Sequence, residues 1–213
     1  MSVSYPEPPW QTHGRARFLA YSVDASRVRP PPGFEVEARL GRSLGILGYV
    51  EYEPPSPLSY REVLWMPARV RARLRDGSVA RGWYVAKMLV DDASSLAAGR
   101  AEWALPKQLA RFEGEGATVT MRGEDGSRIE WTSRTLGALP GRGSVVTLQR
   151  RGDELVRFRG DFSGRAAPAR ARVRASGLDG TWQGLDGARP LPFLALELSR
   201  FRAVMQPPRS ASI

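Results

Sequence analysis

Between Arg69 and Arg75 every second residue is an arginine, with Val70, Ala72 and Leu74 in the places between. A period of two is the mark of a strand with one wet face and one buried face, because alternate strand side chains leave on opposite sides. Similar apolar alternation predicts strands over Arg15–Ser22, Gly45–Glu53, Tyr60–Arg73, Val79–Val90 and Arg111–Met121. It predicts further strands over Ser127–Thr132, Ser144–Gln149, Leu155–Phe162, Pro168–Ala175 and Leu194–Met205. Asp76-Gly77 and Asp125-Gly126 punctuate them as tight hairpin turns. Many short strands in series define an all-β barrel or sandwich.

Two short helices interrupt the pattern. Asp24 caps one that Pro30-Pro31-Pro32 stops; Asp92 caps another running through Ala93-Ser-Ser-Leu-Ala-Ala to Gly99-Arg100, where Gly99 suits a left-handed terminal residue. No repeat or long linker divides the chain, so residues 1–213 read as one domain. The proline- and serine-rich ends, 1–10 and 206–213, read as loose.

Composition removes several kinds of chemistry. The chain has no cysteine, so thiolate nucleophiles, thiolate metal sites and disulfides are excluded. Its one histidine, His13, excludes a multi-histidine metal site, and no Gly-x-Ser-x-Gly elbow accompanies it to suggest a serine triad. No apolar run reaches membrane-spanning length, and the first residues lack the pattern of a signal peptide. The expected setting is therefore the cytoplasm, with no membrane partner.

The net charge of +10 raises nucleic acid as a partner. The arginines argue for a plainer role. Arg69 to Arg75 and Arg170, Arg172 and Arg174 alternate with apolar residues, which makes them the solvated faces of sheets. Few aromatics interleave to stack on bases. The expectation is no nucleic acid; RNA binding through these faces would show as steep salt dependence.

The basic residues hold one more signal. Of the 32, only Lys87 and Lys107 are lysines. Arginine stays charged, whereas lysine can lose its proton and act as a base or nucleophile. Lys87 lies in Trp83-Tyr-Val-Ala-Lys-Met-Leu-Val, on a face shared with Trp83, Val85 and Leu89. It either lines a cavity with Lys107 or packs its stem and snorkels its amine to water.

The segment Val90–Phe112 reads VDDASSLAAGRAEWALPKQLARF. A short helix, Gly99-Arg100, Trp103 and then Pro106-Lys107 before a strand resemble the signature of the acetoacetate decarboxylase-like family. Upstream, Ser59-Tyr60-Arg61-Glu62 resembles that family's Tyr-x-Glu segment. The resemblance implies a closed, cone-shaped β-barrel around an internal cavity and a homo-oligomer. It implies that Lys107 forms a Schiff base with a small keto acid, that Glu62 lies at the active site, and that no metal or organic cofactor takes part. It places substrate contacts at Trp103, Gln108 and an N-terminal arginine near Arg15. The decarboxylases proper have a second lysine after the reactive one, where this chain has Gln108. Relatives without it resemble enzymes that use the imine for aldol or dehydration steps.

From the residues alone Lys107 is either an exposed lysine at a strand start after Pro106 or a buried, reactive one, and the chemistry requires the second. A free lysine titrates at about 10.4, leaving roughly one amine in 2,500 neutral at pH 7. Burial can lower that value by several units. An adjacent cation would help, as acetoacetate decarboxylase itself illustrates, but Gln108 is neutral, so burial must do most of the work. Trp103, Leu105, Leu109 and Phe112 are the nearby apolar bulk. Glu62, on one strand face with Tyr60 and Leu64, needs a partner or a proton there, and suits a proton carrier. A non-catalytic barrel that binds a small acid or an acidic partner is the alternative.

Overall fold

The computed structural model describes residues 4–135 and 137–213. Strands β1 (Trp10–Asp24), β2 (Phe34–Val36), β3 (Arg42–Glu53), β4 (Arg61–Met66), β5 (Ala68–Arg73), β6 (Val79–Tyr84) and β7 (Lys87–Val90) precede the helix α1 (Ala93–Trp103). Strands β8 (Lys107–Glu113), β9 (Thr118–Gly123), β10 (Arg128–Thr135), β11 (Leu139–Arg151), β12 (Glu154–Ser176), β13 (Arg189–Met205) and β14 (Arg209–Ser212) follow it. No helix among the described residues is long and apolar enough to cross a membrane.

The strands form one 14-stranded sheet, in the order β10-β9-β8-β7-β4-β3-β1-β13-β12-β11-β6-β5-β2, with β14 beside β12. The far end of β12 also pairs with β10, from Arg128↔Ser176 to Thr135↔Ala169, and this returns the order to its start. The circuit is closed, as the expected fold class requires. Most neighbours are antiparallel; β7 and β8 run parallel, with Met88 opposite Lys107, because α1 is the crossover between them.

Several expected strands divide or merge. The run Tyr60–Arg73 breaks at Pro67, which has no N–H for a ladder; its carbonyl accepts from Ser43 Oγ at 3.0 Å. Val79–Val90 breaks at Val85-Ala86, where the Ala86 amide bonds Trp65 O at 3.0 Å. Arg111–Met121 turns back at Gly114 and Gly116, both at positive φ. Leu155–Phe162 and Pro168–Ala175 are one strand, β12, whose two ends serve different neighbours. The Asp-Gly turns stand as expected, with Gly77 at φ 83° and Gly126 at φ 84°.

Asp24 caps a 3-10 turn, Ala25–Arg27, and Asp92 caps α1. Within the described parts of the two ends, Trp10 is buried with its indole donating to Pro6 O at 2.8 Å, and Arg209–Ser212 pairs with Glu154–Arg157; residues 1–3 lie outside the described residues.

The sheet encloses two apolar cores. One, around Val23, Leu47, Val63, Trp65, Met121 and Trp131, lies on one side of the central strands. The other, around Trp10, Val50, Met88, Trp103, Phe158 and Phe201, lies on the opposite side and surrounds a cavity. On β5 the exposure alternates as the arginines do: Ala68, Val70 and Ala72 are buried, and Arg69, Arg71 and Arg73 are exposed.

Candidate active site

The site is built from the helix end backward. Asp92 Oδ1 accepts from the Ser95 amide at 2.6 Å, which fixes the first turn of α1. The helix runs on to Trp103 and ends at Ala104, a left-handed residue at φ 52°. Gly99, expected as the terminal residue, lies inside the helix for a different reason. A Cβ there would collide with the Lys107 stem, standing 2.6 Å from Cε. Glycine therefore gives the lysine its channel. Arg100 Nε donates to Lys107 O at 2.9 Å, so the Gly-Arg pair shapes the space for the lysine side chain and anchors its backbone.

Lys107, 2% exposed, points into the cavity side of the sheet. Its Nζ lies 2.7 Å from Ser95 Oγ, 3.3 Å from Glu62 Oε2 and 3.3 Å from the Tyr60 hydroxyl. It also stands 5.0 Å from the centre of the Tyr60 ring. Glu62 accepts from Tyr52 OH at 3.0 Å and from Tyr60 OH at 3.1 Å. The two tyrosine rings stack at 4.6 Å. Strand register produces this cluster: Val50 faces Glu62 across β3 and β4, and Tyr60 O accepts from the Tyr52 amide.

Burial pushes the Lys107 amine below the ordinary lysine value, and the Glu62 carboxylate opposes that shift. Burial and the same carboxylate push both Tyr52 and Tyr60 well up, so they stay protonated donors. The arrangement penalises an ammonium by taking it out of water, yet keeps a counter-charge beside the nitrogen. An iminium formed there would meet that counter-charge at once.

The cavity holds about 160 Å³. Tyr52, Glu62 and Lys107 are on its lining; Phe18, Leu64, Val85, Leu105, Phe158 and Phe201 are among its apolar walls. Of the four neighbours expected to bury Lys107, only Leu105 lines this cavity. Leu109 is 37% exposed and Phe112 packs in the opposite core. The remaining bulk comes from β1, β3, β4, β11, β12 and β13, beyond the reach of local sequence.

Three further candidates lie elsewhere. On β1, Thr12, Ala16 and Phe18 line the cavity, so Arg15 leaves on the other side, half exposed and 2.8 Å from Glu53. Gln108 follows Lys107 by one position and so faces away, accepting from Lys87 Nζ at 2.7 Å. Trp103 stands behind the wall: its indole donates to Gln206 O at 3.1 Å and its rings meet Trp10 and Phe158. None of the three lines the cavity.

Lys87 is also fully buried, on the opposite side of the sheet from Lys107. It pairs with Asp125 at 2.7 Å and stands 5.8 Å from the Trp182 ring. The break at Val85-Ala86 resets the alternation, so Val85 reaches the cavity and Lys87 does not. Sequence reasoning also missed Ser95 and Tyr52. Ser95 had a signal in its place one turn into a capped helix that faces Lys107; Tyr52 had none without the β3–β4 register.

Fold and site define a closed β-sheet protein with a buried, carboxylate-paired lysine at an apolar cavity. The chain belongs to the acetoacetate decarboxylase family, whose model matches residues 2–178. Among solved structures it resembles the enduracididine biosynthesis enzyme MppR with bound HEPES buffer, at TM-score 0.70 and 16% identity, covering 99% of this chain and 89% of that one. It likewise resembles the acetoacetate decarboxylase of Legionella pneumophila, at TM-score 0.67 and 16% identity, covering 99% and 90%. A third likeness is the acetoacetate decarboxylase-like enzyme of Sphingomonas wittichii RW1, at TM-score 0.63 and 15% identity, covering 99% and 95%. No curated protein sequence matches the chain at a significant level. At these identities the structural likeness is one of fold.

Proposed function

We propose that this protein is a Schiff-base-forming lyase that acts on a small keto acid, with Lys107 as the nucleophile. The observation that carries the reading is the Lys107 amine itself: buried, lowered in pKa by that burial, and 3.3 Å from Glu62 at a cavity wall. MppR has been seen complexed with pyruvate, which fits a keto acid in a relative of this fold.

The neutral amine adds to the ketone carbonyl, and loss of water gives a cationic imine. That cation draws in the electron pair of a neighbouring bond. When a carboxylate sits β to the imine carbon, the breaking C–C bond releases CO2 and leaves an enamine. A proton on the enamine carbon regenerates an imine, and water returns the ketone and the free lysine. In this reading Glu62 carries protons to and from this nitrogen and carbon; its hydrogen bonds from two phenols and its 3.3 Å approach to Lys107 support the role. Among the outcomes open to the imine, decarboxylation suits the apolar walls best, because it converts a costly buried carboxylate into a neutral gas.

The experiment is incubation with acetoacetate or pyruvate and borohydride, followed by peptide mapping. A single reduced adduct on Lys107, absent in Lys107→Arg, is the expected result, since guanidinium stays charged and cannot form the imine. Folded protein that labels with no keto acid would turn the reading to the non-catalytic binder. Labelling of Lys87 would move the chemistry to the opposite core.

A further inference from the structure

We infer that Thr147 is a substrate-binding residue: its hydroxyl donates a hydrogen bond to the carboxylate of the acid whose ketone Lys107 takes. The inference rests on the Schiff-base reading and adds the group that holds the other end of the substrate. Thr147 lies on β11, 5% exposed, and lines the cavity together with Val145. The next residue, Leu148, packs in the opposite core, as alternation along a strand requires. β11 does not pair with β8; Thr147 is seated by Phe158 on β12 and Trp83 on β6. It therefore belongs to a different wall of the cavity from Lys107.

The described lining residues that bear a hydroxyl or a charge are Thr12, Tyr52, Glu62, Lys107 and Thr147. All but the last have partners on the protein. Thr12 Oγ1 donates to Ala203 O at 3.5 Å, Tyr52 OH donates to Glu62, and Lys107 Nζ meets Ser95, Tyr60 and Glu62. The Thr147 hydroxyl is buried and has no hydrogen-bond partner among the described residues. Most buried hydroxyls are hydrogen-bonded, because one that is not has given up water for nothing. An unspent donor on a cavity wall is the mark of a group kept for what enters the cavity.

A keto acid brings the matching need. Its ketone end meets Lys107, where Glu62 and the two phenols are already gathered. Its carboxylate offers only acceptors, and no arginine or second lysine stands among the described lining residues. The donor left for it is Thr147. One neutral hydroxyl orients a carboxylate without cancelling its charge, so release of CO2 still removes a charge from an apolar space.

The test uses Thr147→Val, which keeps the shape of the side chain and removes the hydroxyl, and Thr147→Ser, which keeps the hydroxyl. Thermal melts come first. The hydroxyl has no protein partner to lose, so Thr147→Val should melt no lower than the wild type. A clear fall would mean that the hydroxyl serves the fold, and would overturn the inference. Borohydride trapping at Lys107 is then compared for acetoacetate and for acetone, the same ketone without the carboxylate. Thr147→Val should raise the acetoacetate concentration needed for half-maximal trapping roughly tenfold or more, the range for a hydrogen bond to a charged group. It should leave the value for acetone unchanged, and Thr147→Ser should restore most of the loss. Equal losses with both ketones, or none with either, overturn the inference. Calorimetric binding of butyrate, an acid with no ketone, separates this failure from that of the Schiff base. Weaker butyrate binding by Thr147→Val, with no adduct from either ketone, would keep Thr147 as the carboxylate contact and remove the imine. Adducts from both ketones, with acetoacetate and butyrate indifferent to Thr147→Val, would keep the imine and remove the contact.

Discussion

At Lys107 two opposed influences act on one nitrogen. Burial favours the neutral amine; Glu62 favours a cation on the same nitrogen. In the proposed reaction the attacking form is the deprotonated one, so the trapping rate should rise with pH through a midpoint below the ordinary lysine value. Stability should move the same way. Between the lowered native value and the ordinary lysine value of 10.5, the unfolded chain holds a proton that the folded chain has shed. Stability therefore increases with pH across that window, and Lys107→Met should remove the slope in denaturant titrations. Glu62→Gln keeps the shape and the acceptor for a phenol but loses the charge and the proton carrier. It should keep the fold and slow turnover by about 10²-fold or more; unchanged turnover would take Glu62 out of the mechanism. Gly99→Ala puts a methyl where the lysine stem runs. It should cost about 1–3 kcal/mol of stability and slow trapping at Lys107, both measurable on one preparation; a variant as stable and as reactive as the wild type would deny Gly99 its role.

At the scale of elements, the parallel pair β7 and β8 organises everything, because it carries one lysine on each side. Lys107 meets the cavity beside Met88, and Lys87 meets the opposite core. The β9–β10 turn supplies the Lys87 partner, Asp125, which also accepts from the Ser127 amide at 2.9 Å. Burial raises the Asp125 carboxyl, but Lys87 and Ser127 outweigh it and hold it at about 2. Stability from this group is therefore present above the ordinary aspartate value of 3.8 and lost as pH falls through about 2. Asp125→Ala would strand the Lys87 charge in the core. The expected loss is roughly 3–5 kcal/mol, read from denaturant melts, with imine trapping at Lys107 retained. Loss of both together would mean that the two lysines do not sit in separable environments.

For the whole molecule, the closed circuit of strands predicts a circular dichroism spectrum dominated by β-structure; a helical spectrum would contradict it. That class was legible in the chain alone, because the two-residue period and the Asp-Gly turns are local and the backbone has little choice in obeying them. The helix caps at Asp24 and Asp92 could be read there as well, and so could the candidate lysine, since Lys107 is one of two lysines in an arginine-rich chain and Pro106-Lys107 follows Gly99-Arg100 and Trp103. Tyr60 and Glu62 share a strand face, so their meeting was legible too. What local pattern could not decide were the positions next to a break or one step out of phase. Arg15 and Gln108 leave the strand on the side away from the cavity because each neighbours a cavity-facing residue, and Lys87 is buried in the opposite core because the chain pauses at Val85-Ala86. The cavity itself was decided only by tertiary structure. Its walls come from strands up to nearly two hundred residues apart, from Thr12 to Met205, and the register of β1, β12 and β13 brings them together. Burial of Lys107 is a property of those distant walls, and so is the lowered pKa of its amine: a sequence can single out the lysine, but only the closed sheet takes it out of water.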